Sequence, residues 1–261
     1  RGPIIGWAVG VGIYGLLMAL FFPSMNELGD MLDGYIEMFP QGMLAFFESI
    51  TIIGTPQGYL DVYYFSYMNL VIGILAVSAG AGLLARDEEK GILELVLAHP
   101  VSRNGLFMGR LLGLITALVL VLAVSWLSWV LPAGPVGLPL TPLELFYPFL
   151  PLLAVLFLFA AIALLLSMVL PAARLAGMLA GALLVGNYLV QGLSKLNDKL
   201  EPVIKYTPLH YYQGGMAVTG LKGSWLAGLF LASLLIMAVA WYLFLRRDIR
   251  VGGERSWGLR C

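Results

Sequence analysis

Residues 86–103 hold the densest group of side chains in this sequence that could do chemistry. We call this stretch the charged segment; it contains the neighbouring carboxylates Glu88 and Glu89, followed by Glu94 and Arg103. Paired glutamates at a membrane boundary can serve as general acid and base when a further base or a metal-holding histidine lies at the same depth. The chemistry open to this segment therefore depends on which side of the membrane its neighbours occupy.

The rest of the sequence offers little for catalysis. The phosphate-binding pattern G-x-x-x-x-G-K-[ST], the patterns H-E-x-x-H and G-x-S-x-G, and any Cys/His cluster are all absent. With Cys261 as the one cysteine, neither an internal disulfide nor a thiolate metal site can form. We therefore expect no catalytic, cofactor-binding or metal site in this chain.

The apolar stretches contain almost no ionisable side chains, whereas proton-coupled and ion-coupled transporters keep such groups at membrane depth. Their polar residues are neutral, and we expect most of them to form hydrogen bonds between helices. Three amides, Asn69, Asn187 and Gln191, are our candidates for a substrate path. Such a path favours an apolar or amphipathic substrate.

Composition indicates that the chain lies in a membrane. Of its 261 residues, 60% are hydrophobic and 11% are charged, and the mean hydropathy is +0.91. A helix needs about 20 apolar residues to cross the hydrocarbon core of a bilayer. We predict an all-α integral membrane protein, a single transmembrane domain over residues 1–261. Its six transmembrane helices are expected at about residues 3–22, 62–85, 106–131, 145–170, 175–193 and 225–245.

The distribution of basic residues predicts the orientation of these helices. With both termini in the cytoplasm, four of the fifteen Lys and Arg residues lie in outer segments: Lys195, Lys199, Lys205 and Lys222. This distribution satisfies the positive-inside rule. The charged segment, between the second and third spans, then faces the cytoplasm. His210 then lies on the other side of the membrane from Glu88 and Glu89. A catalytic site built from these glutamates and a histidine, as in an intramembrane protease, is therefore disfavoured.

The first outer segment, residues 26–61, is acidic and contains no Lys or Arg. Apolar and aromatic residues recur in it at loosely helical intervals. We therefore predict an amphipathic extracellular segment of one or two helices that lie on the outer leaflet or dip into it.

Local signals predict that the charged segment forms one short amphipathic helix. Acidic residues 87–89 favour the positive end of a helix dipole, and an apolar run follows them. Pro100 disfavours helix at His99 and so ends it, and Ser102 or Asn104 can cap the next span. We expect a helix of about ten residues, held between two spans by sharp turns.

These residues also resemble a family signature. Glu89-Lys90-Gly91-Ile92-Leu93-Glu94, followed by Pro100-Val101-Ser102-Arg103, is similar to the pattern E-x-G-T-L-E…P-(V/L)-S-R of type-2 ABC transporter permeases, the ABC-2 family. Ile92 stands where threonine is commoner. The resemblance extends over all six spans, and it is specific at the charged segment. The family's amphipathic helix before the first span is absent from a sequence that begins at Arg1, and we expect it upstream.

The resemblance implies a function. In that family, this segment is a cytoplasmic coupling helix (here Glu88 to Ala98) that docks on a separate P-loop ATPase, which holds the ATP and Mg. Two permeases, identical or related, form the pathway. The chain would then be the permease of an exporter in the plasma membrane of a bacterium or archaeon. The residues implied for ATPase contact are Glu88, Glu89, Gly91, Glu94, Pro100 and Arg103.

Other classes of function stay open. An ATP-independent channel or secondary carrier would need no ATPase, and a membrane-embedded enzyme or scaffold would use the acidic outer segment. A run of charges can also be an ordinary solvated loop. The net charge of zero gives no indication of a nucleic-acid partner. The identity of the substrate does not follow from the sequence.

Overall fold

The computed structural model describes residues 2–36, 55–194 and 201–247, apart from the side chains of residues 26–36, Glu94 and Glu201. Every regular element in these ranges is helical. A π-helical turn, Asp61–Phe65, joins α2 to α3, and two 3₁₀ turns, Pro208–Tyr211 and Gly214–Val218, precede the last helix. The α-helices are α1 (Gly2–Ile36), α2 (Pro56–Leu60), α3 (Ser66–Ala81), α4 (Ala85–Glu89), α5 (Ile92–Leu97), α6 (Arg103–Ala133), α7 (Pro142–Phe146), α8 (Phe149–Val169), α9 (Ala173–Ser194), α10 (Glu201–Ile204) and α11 (Gly223–Arg246).

Six helical stretches within the described residues are long and apolar enough to cross a membrane, which confirms the prediction of an all-helical, six-span chain. The second begins at Pro56, six residues before the predicted start, because the helix runs on through Asp61, the residue that ends the apolar run in the sequence. The six stretches are Gly2–Met25, Pro56–Ala81, Arg103–Ala133, Pro142–Val169, Ala173–Ser194 and Gly223–Arg246.

Hydroxyl side chains determine where three of these spans begin. The first backbone N–H groups of a helix have no partner within it. The hydroxyl oxygens of Thr55 and Thr141 accept hydrogen bonds from the backbone N–H groups of Gly58 and Glu144, at 3.2 and 3.3 Å. Of the two caps considered for the third span, Ser102 serves, with its hydroxyl accepting from the N–H of Gly105 at 3.0 Å.

The chain forms two compact units. Unit 1 comprises Arg1–Asn69, Val119–Leu153 and Tyr212–Leu226. Aromatic rings fill its core: Trp129 and Tyr64 are fully buried, with ring centroids 5.2 Å apart in an edge-to-face contact. Buried aromatic pairs in this geometry stabilise a fold beyond their loss of water-exposed area.

Unit 2 comprises Leu70–Leu118, Ala154–Tyr211 and Ala227–Cys261. Its helices approach closely where small residues meet: a Cβ added at Gly80 would lie 2.3 Å from the carbonyl oxygen of Ala160. Glycine in membrane helices permits such backbone contact. A separate apolar cluster in this unit joins the charged segment to the ends of several spans: Leu84, Leu93, Leu106, Phe107, Leu164, Met168, Ala240 and Phe244.

The charged segment differs from the expected single helix, because it forms two short helices, α4 and α5, separated by Lys90 and Gly91. Gly91 has φ of +68°, a left-handed conformation that glycine adopts readily and that commonly ends a helix. The helix break therefore follows from one glycine that the sequence interpretation placed inside a helix. α5 ends at Leu97, before Pro100, where a stop was expected.

Half of the predicted amphipathic segment between the first two spans, residues 37–54 of 26–61, lies outside the described residues. α1 continues from the first span to Ile36, and α2 begins at Pro56 as part of the second span.

Candidate functional site

The candidate site is the charged segment together with the helix ends of unit 2 that it contacts. Its side chains divide into two groups: one group makes contacts within the chain, and the other is exposed. The inward contacts reach α6, α8, α9 and the end of α11.

Glu88 makes the most buried of these polar contacts. Its side chain is 9% exposed, and its Oε1 lies 3.3 Å from Nη2 of Arg247, just after α11. The Nη1 atom of Arg247 donates to the carbonyl oxygens of Ser167 and Met168 in the last turn of α8, at 3.2 and 3.3 Å. A cation at a helix C-terminus is favourable, and a buried carboxylate needs a charged, hydrogen-bonded partner. This contact therefore holds α4, α8 and α11 together.

Glu89 joins the charged segment to the fifth span. Its Oε1 accepts a hydrogen bond of 2.6 Å from the N–H of Ala173, the first residue of α9. That N–H has no partner within the helix, and a carboxylate is favoured at the positive end of the helix dipole. The side chain of Glu89 thus caps α9 from another part of the chain.

The start of the third span is tied to the end of the sixth. Arg103 Nη1 donates to the carbonyl oxygen of Arg247 at 2.8 Å and to that of Leu245 at 3.4 Å. The indole N–H of Trp241 donates to Asn104 Oδ1 at 2.6 Å. The bonds from Arg103 satisfy carbonyls at the C-terminal end of α11, and the bond from Trp241 joins the same two helices. The N-terminus of α6 and the C-terminus of α11 are therefore fixed to each other.

A second ion pair, between Asp87 and Arg110, links α4 to α6. Its side chains are more exposed, 20% for Asp87 and 42% for Arg110. Exposed pairs contribute little to stability because water and salt screen them. We therefore regard the pair of Glu88 as the stronger restraint.

The apolar residues of α5 lie on two sides. Leu93 is 1% exposed within the apolar cluster, and Val96 and Leu97 pack against it. The spacing of these residues, i, i+3 and i+4, places them on one side of a helix. Ile92 and Leu95 are 39% and 68% exposed. The helix is thus anchored on one side and presents an apolar edge on the other.

The six residues predicted for partner contact occupy different environments. Glu88, Glu89 and Arg103 make the internal contacts described above, while Gly91 forms the break between α4 and α5. Pro100 is exposed. The side chain of Glu94 is outside the described residues.

The sequence interpretation missed the inward orientation of Glu88 and the exposed edge of α5. The sequence held one signal for Glu88, because it follows the apolar Ala85 by three residues and so lies on the same helix face. In the structure, both residues are buried. For Ile92 and Leu95, the predicted single helix gave no such signal, because the break at Gly91 changes which residues face inward.

The three predicted substrate-path amides belong to different units. Asn69, in unit 1, is 2% exposed, and its Oδ1 lacks a hydrogen-bond partner among the described residues. In α9 of unit 2, Asn187 donates from Nδ2 to the carbonyl oxygen of Leu183 at 2.7 Å. The buried Oδ1 of Asn187 also has no partner in the described ranges. Gln191 follows four residues later and lies on the same helix face.

A polar cluster in unit 1 fixes the turn before the last span. Asp61 Oδ1 accepts from the N–H of Gly215 at 2.8 Å, and the buried hydroxyl of Tyr212 donates to the carbonyl oxygen of Phe65 at 2.9 Å. Burial, with the charge of Asp61 as a second cause, raises the pKa of Tyr212 well above its ordinary value. The phenol therefore stays protonated and keeps its role as donor. Nowhere in the described residues do three or more His, Cys, Asp or Glu side chains gather into a potential metal site.

Comparison with known families gives an extended match. The family model described as ABC-2 family transporter protein matches residues 24–249, which include the charged segment and the second to sixth spans. No curated protein matches the sequence.

The anchoring of the charged segment leads to a prediction about stability. In the full chain in micelles, Glu88→Gln and Arg247→Gln should each lower the free energy of unfolding by about 3 kcal/mol, because each removes one charge of a mostly buried ion pair. The double variant should cost clearly less than the sum of the two. Denaturant unfolding of all four proteins measures this coupling.

The matched control is the exposed pair, tested with Asp87→Asn and Arg110→Gln. Its coupling should stay below about 1 kcal/mol. Additive effects of the Glu88 and Arg247 substitutions, within about 0.5 kcal/mol, would show that the pair does not hold the segment.

Proposed function

The chain belongs to the ABC-2 family of transporter proteins, and from this premise we propose that it is the transmembrane permease of an ATP-driven exporter whose ATPase is a separate subunit. As an ABC transporter permease, it is a multi-pass membrane protein and a component of membrane transport. The observation that carries the proposal is the charged segment. Asp87, Glu88, Glu89 and Arg103 fix it to the third, fifth and sixth spans, Arg247 extends these contacts to the fourth, and an apolar edge stays exposed.

We place the charged segment and both termini in the cytoplasm. The support for this orientation is the excess of Lys and Arg on that side. ATP is available there, so a soluble ATPase can reach residues 86–103. With this orientation, the turn at residues 205–222 faces outward. We also assign the chain to the plasma membrane of a bacterium or archaeon, as the family resemblance implies.

In the proposed cycle, the ATPase binds the exposed edge of α5. Ile92 and Leu95 supply its apolar part, and Gly91, Glu94 and Pro100 complete the contact. Apolar residues surrounded by polar ones are a common basis for protein–protein contact. ATP and Mg²⁺ are bound by the ATPase, since this chain has no P-loop.

Movement of the charged segment then reaches the spans through its inward contacts. Glu88 and Glu89 connect it to the end of α11 and the start of α9, and Arg103 connects the start of α6 to the same end of α11. We therefore assign Glu88, Glu89 and Arg103 to transmission within the chain. A second permease, identical or related, completes the pathway between the two proteins.

The substrate is proposed to be hydrophobic or amphipathic and to move outward. Asn69, Asn187 and Gln191 are the polar groups assigned to its path. Within the part of the chain that the structure describes, the amide oxygens of Asn69 and Asn187 lack a hydrogen-bond partner. This supports the assignment, because a buried polar atom without a partner is costly unless a ligand or water satisfies it.

Cysteine labelling tests the proposed orientation. In a Cys261→Ser background, Ala98→Cys lies on an exposed position beside α5, and Tyr206→Cys replaces a side chain that is 91% exposed. A membrane-impermeant maleimide should label position 206 in intact cells and position 98 only after the membrane is opened. Labelling of position 98 in intact cells would reverse the assigned orientation.

Truncation of the exposed edge tests the ATPase contact. Leu95→Ala should weaken co-purification of a P-loop ATPase with the tagged full chain by at least about fivefold, the effect of an interface residue that contributes 1 kcal/mol or more. Quantitative mass spectrometry of the purified complex measures the ratio of ATPase to permease.

Val203→Ala is the matched control. It removes a comparable apolar side chain that is 49% exposed on α10, beside the turn assigned to the outer side. This variant should retain the ATPase in full. If no P-loop ATPase accompanies even the unaltered protein from its own membrane, an ATP-independent channel or carrier replaces the exporter as the better account.

A further inference from the structure

A cavity of about 490 Å³ opens between α3 and α9 in unit 2. Its walls are mainly apolar and small, with Ile74 and Val77 on α3 and Gly181 and Leu184 on α9. A Cβ added at Gly181 would meet no atom within 4 Å, so this glycine leaves the space open. The volume falls within the range of about 300–1,000 Å³ that is typical of small-molecule sites.

The cavity has a charged rim where α3 meets the charged segment. Arg86 and Arg174 both line it, together with Glu89 and Ser78. Within the ranges that the structure describes, neither arginine makes an ion pair or a side-chain hydrogen bond. The Glu89 carboxylate, in contrast, accepts from the N–H of Ala173. Among the described residues, the rim therefore carries two arginines without an ion pair against one carboxylate that is already hydrogen-bonded.

We propose that this cavity binds an anionic phospholipid, with its phosphate at Arg86 and Arg174 and part of an acyl chain along α3 and α9. Guanidinium groups match phosphate oxygens in bidentate geometry. The apolar walls lie in helices long enough to cross a membrane, so the cavity is matched to a ligand that combines an anion with a hydrocarbon chain. Basic pockets between membrane helices on the cytoplasmic side are known to select anionic headgroups.

The position of the cavity gives the lipid a consequence for the charged segment. Glu89 is both a rim residue and the cap of α9. Binding of an anion at the two arginines is therefore sensitive to the charge of Glu89, and it fixes α9 against the segment. The assignment to the cytoplasmic leaflet rests on the proposed orientation, whereas the binding chemistry does not.

Native mass spectrometry of the delipidated full chain, without any ATPase, tests the site. Titration with phosphatidylglycerol should give one lipid per chain that is retained more tightly than phosphatidylcholine. Arg86→Gln and Arg174→Gln should each weaken phosphatidylglycerol binding about fivefold, which corresponds to the ~1 kcal/mol that a basic residue contributes near anionic lipid. Glu89→Gln should strengthen it, because one repulsive charge is removed.

Two controls separate the site from general effects. Arg246→Gln removes the same charge from an exposed arginine that stacks on Tyr242 and does not line the cavity, so lipid binding should be unchanged. Gly181→Leu should fill the cavity and abolish the tight lipid. Gly186→Leu, at an open position on the same helix outside the cavity lining, should leave it bound.

Equal retention of phosphatidylcholine and phosphatidylglycerol would overturn the proposal, as would unchanged binding in Arg86→Gln and Arg174→Gln. Displacement of the lipid by inorganic phosphate at equal concentration would also contradict it, because the acyl chain would then contribute nothing. The assay contains no ATP and no ATPase. Its failure is therefore distinct from a failure of the proposed exporter function.

Discussion

The arrangement of unit 2 depends on the burial of the Glu88 carboxylate beside Arg247. A carboxylate that is 9% exposed must be paired, and its partner here lies just beyond the sixth span. Arg247 in turn satisfies two carbonyl oxygens at the end of α8. One charge on a five-residue helix thus specifies where the ends of two spans lie. Removal of either partner takes away the opposite charge that offsets the burial of the other.

This constraint gives the charged segment one side that packs against the spans and another side that is exposed. On the packed side, Leu93 lies in the apolar cluster, and the carboxylate of Glu89 caps the fifth span. On the exposed side lie Ile92 and Leu95, whose side chains are much more accessible than that of Leu93. A membrane protein can thereby offer a partner an apolar contact while its own helices keep the segment in place. The proposed lipid site lies beside these packing contacts, because Glu89 both lines the cavity and caps α9.

Much of the fold was predictable from the sequence, because six long apolar runs are a strong signal and their number is right. The family resemblance, which depended on residues 89–103, is also confirmed. The start of the second span was missed because Asp61 interrupts the apolar run, although its carboxylate is satisfied by Gly215. The break at Gly91 was missed because a glycine in a short apolar run is compatible with both a continuous helix and a left-handed turn. The partner of Glu88 lies 159 residues away in the sequence, at Arg247, and no local pattern indicates such a pairing.

The central claim is that an ATPase binds the exposed apolar edge of α5. The most direct test is site-specific photocrosslinking in native membranes, with a photoreactive residue at position 95 and, for comparison, at position 203. The account predicts a covalent adduct at position 95 that contains a P-loop ATPase, and none at position 203. Absence of that adduct at position 95, or an ATPase adduct at position 203, would contradict the account.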